Sequence, residues 1–182
     1  MKKILFIVGS LRKESFNREL AKLAESFLSG KAEVSYLDYS DVPFMNQDLE
    51  FPVPAAVSEL RKTVAAADGV WVFSPEYNYS YPGHVKNVID WLSRPATPED
   101  RMNPTLLVGK KFTLAGAGGT GMTASCRENL TVLLKNLKAE VMTEHQTGVA
   151  LNVEAWTEGR MILTDEQKKQ LQEQVEAFLA YI

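Results

Sequence analysis

The chain has 182 residues, 45% of them hydrophobic and 24% charged, with a formal net charge of −3. That length suits one ordinary α/β domain, with a core that needs no disulfide or metal to hold it. The composition is that of a soluble globular protein, and the near-neutral balance gives no electrostatic case for nucleic acid or an anionic membrane as partner.

In chain order, the apolar run Ile4 to Val8 comes first and is followed almost at once by Arg12 and Lys13. It is too short for a secretory h-region or a membrane span and reads as a strand buried on both faces. Leu20, Leu23, Ala24, Phe27 and Leu28 then recur at helical spacing over about Phe16 to Ser29, with Gly30 where a C-cap glycine belongs. Ala32–Asp38 is a second strand, and the Pro-rich stretch behind it is loop. Pro54–Asp68 is a helix with proline near its first turn. Gly69–Ser74 is a third strand, Pro75–Gly83 a loop, and His84–Pro95 a helix stopped by its proline. A long polar loop, Pro95–Gly109, precedes a fourth strand within Lys110–Gly118. Thr123–Leu137 is a helix and Ala139–His145 a fifth strand. A last helix runs from Thr164 to Tyr181, with Gln167 completing an approximate capping box on Thr164.

Five βα repeats imply a parallel sheet with helices on both faces. The expected fold is α/β: a flavodoxin-like three-layer sandwich whose five-stranded parallel sheet has the order 2-1-3-4-5. No internal repeat or long linker divides the chain, so residues 1–182 are expected to form a single domain. The single cysteine, Cys126, allows no internal disulfide and fits a reducing, cytoplasmic setting.

In such a sheet the ligand lies beyond the C-terminal strand ends. Three polar loops meet there: Gly9–Asn17, Pro75–Gly83 and Gly116–Gly121. The first suits an anion, because free N–H groups at a helix N-terminus bind phosphate. Ser10, Ser15 and Asn17 add side-chain donors, and Arg12 adds a charged fork. The bland alternative is that Ser15 only caps a helix and Arg12 is a solvated charge. Neither G-x-G-x-x-G nor a Walker loop is present, which favours a monophosphate over a pyrophosphate. In the second loop Tyr77, Tyr79 and Tyr81 alternate with Asn78 and Ser80. Aromatics beside a stiff backbone make a wall for a planar heterocycle, and Tyr81 is the tyrosine expected to pack on a neighbouring element instead. Gly116, Gly118, Gly119 and Gly121 permit close approach of a flat ligand, or simply make a turn.

The stretches "GSLRKESFNRELA" and "PEYNYSYPGHVKNVIDWLSRP" together resemble the NADPH-dependent FMN reductase family, which includes flavodoxin-like quinone, chromate and azo reductases. The resemblance covers nearly the whole chain. It implies that Ser10, Arg12, Ser15 and Asn17, with the backbone of Ser15 and Phe16, hold the phosphate of a bound FMN. It implies that Pro75, Glu76, Tyr77 and Asn78 wall the isoalloxazine ring, Glu76 acting mainly through its backbone near flavin N5. Gly116, Ala117, Gly118 and Gly119 would border the pyrimidine end, where relatives often begin Ser-Pro-Gly. The implied reaction passes hydride from NADPH or NADH through flavin N5 to a small-molecule acceptor: a quinone, azo or nitro compound, chromate or free flavin. No catalytic side chain and no metal is required. The family further implies a homodimer, or a tetramer built from dimers.

Two other classes remain open: a flavodoxin-type electron carrier without its own NAD(P)H oxidase activity, and a ligand-binding module. Carriers have an acidic surface and a Thr/Gly phosphate loop, which Arg12 and Lys13 do not match. Cys126 is expected to pack in the core, His84 at a surface or interface with the flavin edge as its alternative, and Lys86 and Arg94 to be solvated charges unless a partner subunit covers them. Arg101 is a candidate for the dinucleotide phosphates and Met102 for a lid or subunit contact.

Overall fold

The computed structural model describes residues 1–102 and 105–182. The side chains of Arg101 and Met102 lie outside the described residues, so those two candidate contacts do too.

The apolar run at the N-terminus forms β1 (Lys2–Val8), paired in parallel with β2 (Ala32–Tyr36) on one side and β3 (Gly69–Phe73) on the other. β3 pairs in turn with β4 (Lys111–Gly118). With β5 at Glu140–Val141, the order is β2-β1-β3-β4-β5, all parallel, as the βα alternation requires. Between these strands run α1 (Phe16–Leu28), α2 (Ala55–Ala66), α3 (Gly83–Leu92) and α4 (Ala124–Asn136). Gly30 takes φ +75° beyond α1, the left-handed residue that ends the helix.

Side chains alternate across the sheet and define two cores. Leu5, Ile7, Val70, Val72 and Leu114 face α2, α3 and α4, where Val57, Val88, Trp91 and Leu130 meet them. Ile4, Phe6, Val8, Trp71 and Phe73 face the other side, against Leu20, Ala24, Val175 and Phe178. The continuous apolar run of β3 is buried at every residue, because helices cover both its faces.

The last edge departs from the sequence expectation. The strand expected over Ala139–His145 is only β5 (Glu140–Val141), paired with Lys111 and Phe112. The chain then turns through His145, at φ +61°, and re-enters the same edge as β6 (Thr147–Ala150), paired with Ala115–Gly118. The gap is filled by the fully buried Gln174 of α6 (Asp165–Tyr181). Its amide nitrogen donates to Thr113 Oγ1 at 2.7 Å and to the Leu114 carbonyl at 2.9 Å. Its oxygen accepts the Thr147 N–H at 2.8 Å. One side chain thus replaces the missing ladder bonds. A short helix, α5 (Val153–Thr157), follows β6 and has no counterpart in the sequence reading. The capping box at Thr164 and Gln167 is formed in both directions.

Candidate functional site

The three loops do converge at the C-terminal ends of β1, β3 and β4. A cavity of about 190 Å³ is lined by Ser10, Arg12, Ser15, Phe16 and Asn17 from the first loop. Pro75, Glu76 and Tyr77 line it from the second loop, and Ala117, Gly118 and Gly119 from the third. A wider cavity of about 480 Å³ adjoins it, lined by Asn78, Tyr79 and Gly119–Thr123. The two share Glu76 and Gly119.

The first loop gathers hydrogen-bond donors and a cation at the start of α1. Ser15 caps α1, its hydroxyl accepting the Arg18 N–H at 3.4 Å. Among the described residues, the N–H groups of Phe16 and Asn17 meet no protein acceptor, as expected in a first helical turn. The Arg12 guanidinium lies 5.0 Å from the centroid of the Phe16 ring, and among the described residues no carboxylate pairs with it. Capping and anion binding are therefore compatible uses of the same turn. Asn17 is buried and committed: its amide donates to the Ala117 carbonyl at 3.0 Å and accepts the Ala117 N–H at 2.9 Å. It lines the cavity chiefly as a clamp between α1 and β4.

The second loop is a tight turn. Tyr77 N–H donates to the Ser80 carbonyl at 2.9 Å, and Ser80 N–H returns the bond at 3.0 Å. Asn78 and Tyr79 both sit in the left-handed region, at φ 51° and 62°. This is the geometry of a type I′ turn, in which Asn is favoured and Tyr is strained. The turn leaves Tyr77 and Tyr79 exposed, while Tyr81 packs against the α2–α3 core. The Glu76 carboxylate accepts the Cys126 N–H at 2.9 Å and so caps α4 from fifty residues away. Glu76 lines both cavities, and its N–H has no protein acceptor among the described residues.

The third loop needs one correction. Gly116, with Ala117 and Gly118, belongs to β4, and Gly116 is buried and lines neither cavity. A Cβ there would lie 2.2 Å from the Ser74 carbonyl and 2.4 Å from Thr123 Oγ1, so glycine is required by packing. The open loop begins at Gly119, where a Cβ would meet nothing within 4 Å.

Cys126 is buried beneath the cleft with its Sγ 3.4 Å from Ser74 Oγ, and burial pushes its thiol up despite that bond. His84 is half-buried and stacks on Tyr39 at 5.7 Å, away from both cavities. Lys86 pairs with Asp90 at 2.6 Å on the surface of α3. Arg94 is not a free solvated charge: it pairs with the buried carboxylate of Glu50. The sequence reading missed Leu151 and Trp156, which also line the smaller cavity. The β-branched alternation of Thr147–Ala150 was the available signal, since it places them just past a strand end.

Fold and cleft together define a flavodoxin-like protein with an open cleft at the strand ends. The model of the NADPH-dependent FMN reductase family matches residues 2–153, and the chain belongs to that family. A quinone reductase of Escherichia coli is 36% identical over 154 residues, covering 82% of this chain and 79% of that one. An NAD(P)H-dependent FMN reductase of Pseudomonas aeruginosa is 30% identical over 181 residues, covering 99% and 95%. Among solved structures, the flavoenzyme NAD(P)H:(acceptor) oxidoreductase FerB of Paracoccus denitrificans superposes with TM-score 0.86 at 30% identity, covering 100% and 97%.

Proposed function

We propose that the protein holds FMN and uses it to reduce quinones and related small acceptors with NADPH or NADH. The observation that carries this reading is the junction of the two cavities. An anion-holding loop and an open, tyrosine-rimmed cleft meet at Glu76 and Gly119, so one ligand with an anionic end and a flat end spans both. Ser10, Arg12, Ser15, Asn17 and the N–H groups of Phe16 and Asn17 would hold the phosphate. Pro75, Glu76, Tyr77 and Asn78 would wall the ring, with Ala117, Gly118 and Gly119 along its other edge.

When bound, FMN supplies a two-electron centre between nicotinamide and acceptor, so that NAD(P)H, a quinone and a proton give NAD(P)+ and a hydroquinone. The chain's own work is to bind and orient. Glu76 presents a main-chain N–H while its carboxylate is kept on α4. The exposed Tyr77 and Tyr79 leave an apolar rim on which planar substrates stack. We also assign a homodimer, or a tetramer of dimers, whose contacts include Tyr79, 78% exposed, with its carbonyl held by Asn129. The free, buried thiol of Cys126 supports a cytoplasmic location.

The purified protein is expected to be yellow, or to become so with FMN, and to oxidise NAD(P)H when benzoquinone is added. Arg12→Ala removes the charged fork and should weaken FMN binding about tenfold or more, since a charge-assisted bond contributes roughly 1.5–3 kcal/mol. Fluorescence titration of FMN checks it, and unchanged affinity overturns the phosphate assignment. Bound FMN without appreciable NADPH oxidation would mark an electron carrier instead.

A further inference from the structure

A residue beyond the matched family segment stands against the phosphate half of this cleft. Leu151 donates its N–H to the Gly118 carbonyl at 2.9 Å, so the chain leaves β6 directly at the cavity rim. Residues 152–162 then close on themselves. Asn152 Oδ1 accepts the Ile162 N–H at 3.0 Å, and its amide nitrogen donates to the Glu154 carboxylate at 2.6 Å. The Arg160 N–H donates to the Glu154 carbonyl at 3.1 Å. Ala155 is buried and roots α5 in the core that α1 also covers. Its neighbour Trp156 is thereby held outward, 65% exposed, yet it lines the same cavity as Ser10, Arg12 and Ser15. Gly159, at φ +70°, returns the loop past Arg12: a side chain there would lie 4.0 Å from the guanidinium.

An indole left in water forgoes the burial that usually places tryptophan in a core. Here a braced loop holds it in the same cavity as Arg12, which no carboxylate pairs with among the described residues. We propose that Trp156 is a positioning residue that closes the phosphate half of the flavin site. Its ring excludes water from the Arg12 side of the cavity. The attraction between guanidinium and phosphate then acts in a lower dielectric than it would in open solvent. This rests on the FMN reading above. It assigns to a residue outside the matched family segment the retention of the cofactor, and it makes the effect of Trp156 dependent on Arg12.

The test is the release of FMN from the full-length protein, saturated with FMN and then diluted, followed by the return of flavin fluorescence. Trp156→Ala should release FMN about tenfold faster, the scale of removing a central aromatic anchor. Trp156→Phe, which keeps a wall, should stay within about threefold of wild type on the same scale. In an Arg12→Ala background the same Trp156→Ala change should add less than about twofold, because the interaction it protects is gone. Tryptophan emission gives a second readout, since Trp71 and Trp91 are fully buried and Trp156 is exposed. FMN should quench emission in the wild type, and the part of that quench lost in Trp156→Phe belongs to Trp156. Release from Trp156→Ala at the wild-type rate overturns the proposal, as does an equal acceleration with and without Arg12. A wild-type protein that takes up no FMN fails the flavin reading itself, a different result from normal uptake with an indifferent Trp156.

Discussion

Tyr79 holds φ +62°, a conformation that costs a residue with a Cβ about 1–2 kcal/mol. Tyr79 is exposed and lines the wider cavity, while Asn78 beside it occupies the left-handed region more readily. Tyr79→Gly is therefore expected to raise stability by about 0.5–1 kcal/mol, after glycine's own entropic cost, and to lower kcat/KM for benzoquinone several-fold. Urea titration and steady-state kinetics check the two halves. A variant more stable and fully active would remove Tyr79 from the cleft. At this scale the sequence made the donor types legible, but not their commitments. Asn17 looks like a free ligand until Ala117 is seen across a hundred residues of chain, holding both ends of its amide. Gly116 looks like part of a glycine loop until the Ser74 carbonyl and Thr123 are found against it.

At the level of elements, the edge beyond β4 is the informative departure. The succession of β1 to β4 and their helices follows from local periodicity, and the βα alternation gives their order in the sheet, which is why both are readable from the sequence. The break between β5 and β6 is not local. It is tolerated because Gln174, from a helix about thirty residues later, satisfies the Leu114 carbonyl and the Thr147 N–H within the core. No window around Ala139–Ala150 contains that information. Gln174→Leu keeps the volume and removes both partners, leaving a buried donor and acceptor unmet. The expected loss is about 2–4 kcal/mol, read from the urea midpoint at constant m-value. A loss under about 0.5 kcal/mol would mean that water or a relaxed backbone repairs the gap.

Across the molecule, the two cores are separated by one sheet, with Trp71 buried in one and Trp91 in the other. We propose that residues 1–182 fold as one unit. Fluorescence of single-tryptophan variants retaining Trp71 or Trp91 should then show coincident urea transitions, whereas separated midpoints would mean that the faces melt independently. The alkaline limb of stability has an identifiable source. Tyr39 donates its hydroxyl to the Val8 carbonyl, and burial pushes its pKa up from 10.0 to about 12. A folded pKa above the unfolded one stabilises the native state at pH below 10. That contribution is lost as pH rises from 10 through about 12, because the unfolded chain ionises first. Burial raises Tyr36 in the same direction. Urea midpoints across this range should fall less steeply in Tyr39→Phe than in the wild type, and an identical slope would assign the limb to other groups.

The Asn17 amide has a consequence for how the cleft responds to a ligand. Because it grips both polar groups of Ala117, the start of α1 and the end of β4 cannot fluctuate separately. Whatever quiets one loop quiets the other, so the entropy of ordering is shared between the anionic and the flat end of a ligand. Two fragments, inorganic phosphate at one end and a side-chain-free flavin ring at the other, would each find the site stiffened by the other. On the FMN reading, that would be a thermodynamic coupling inside the footprint of a single molecule.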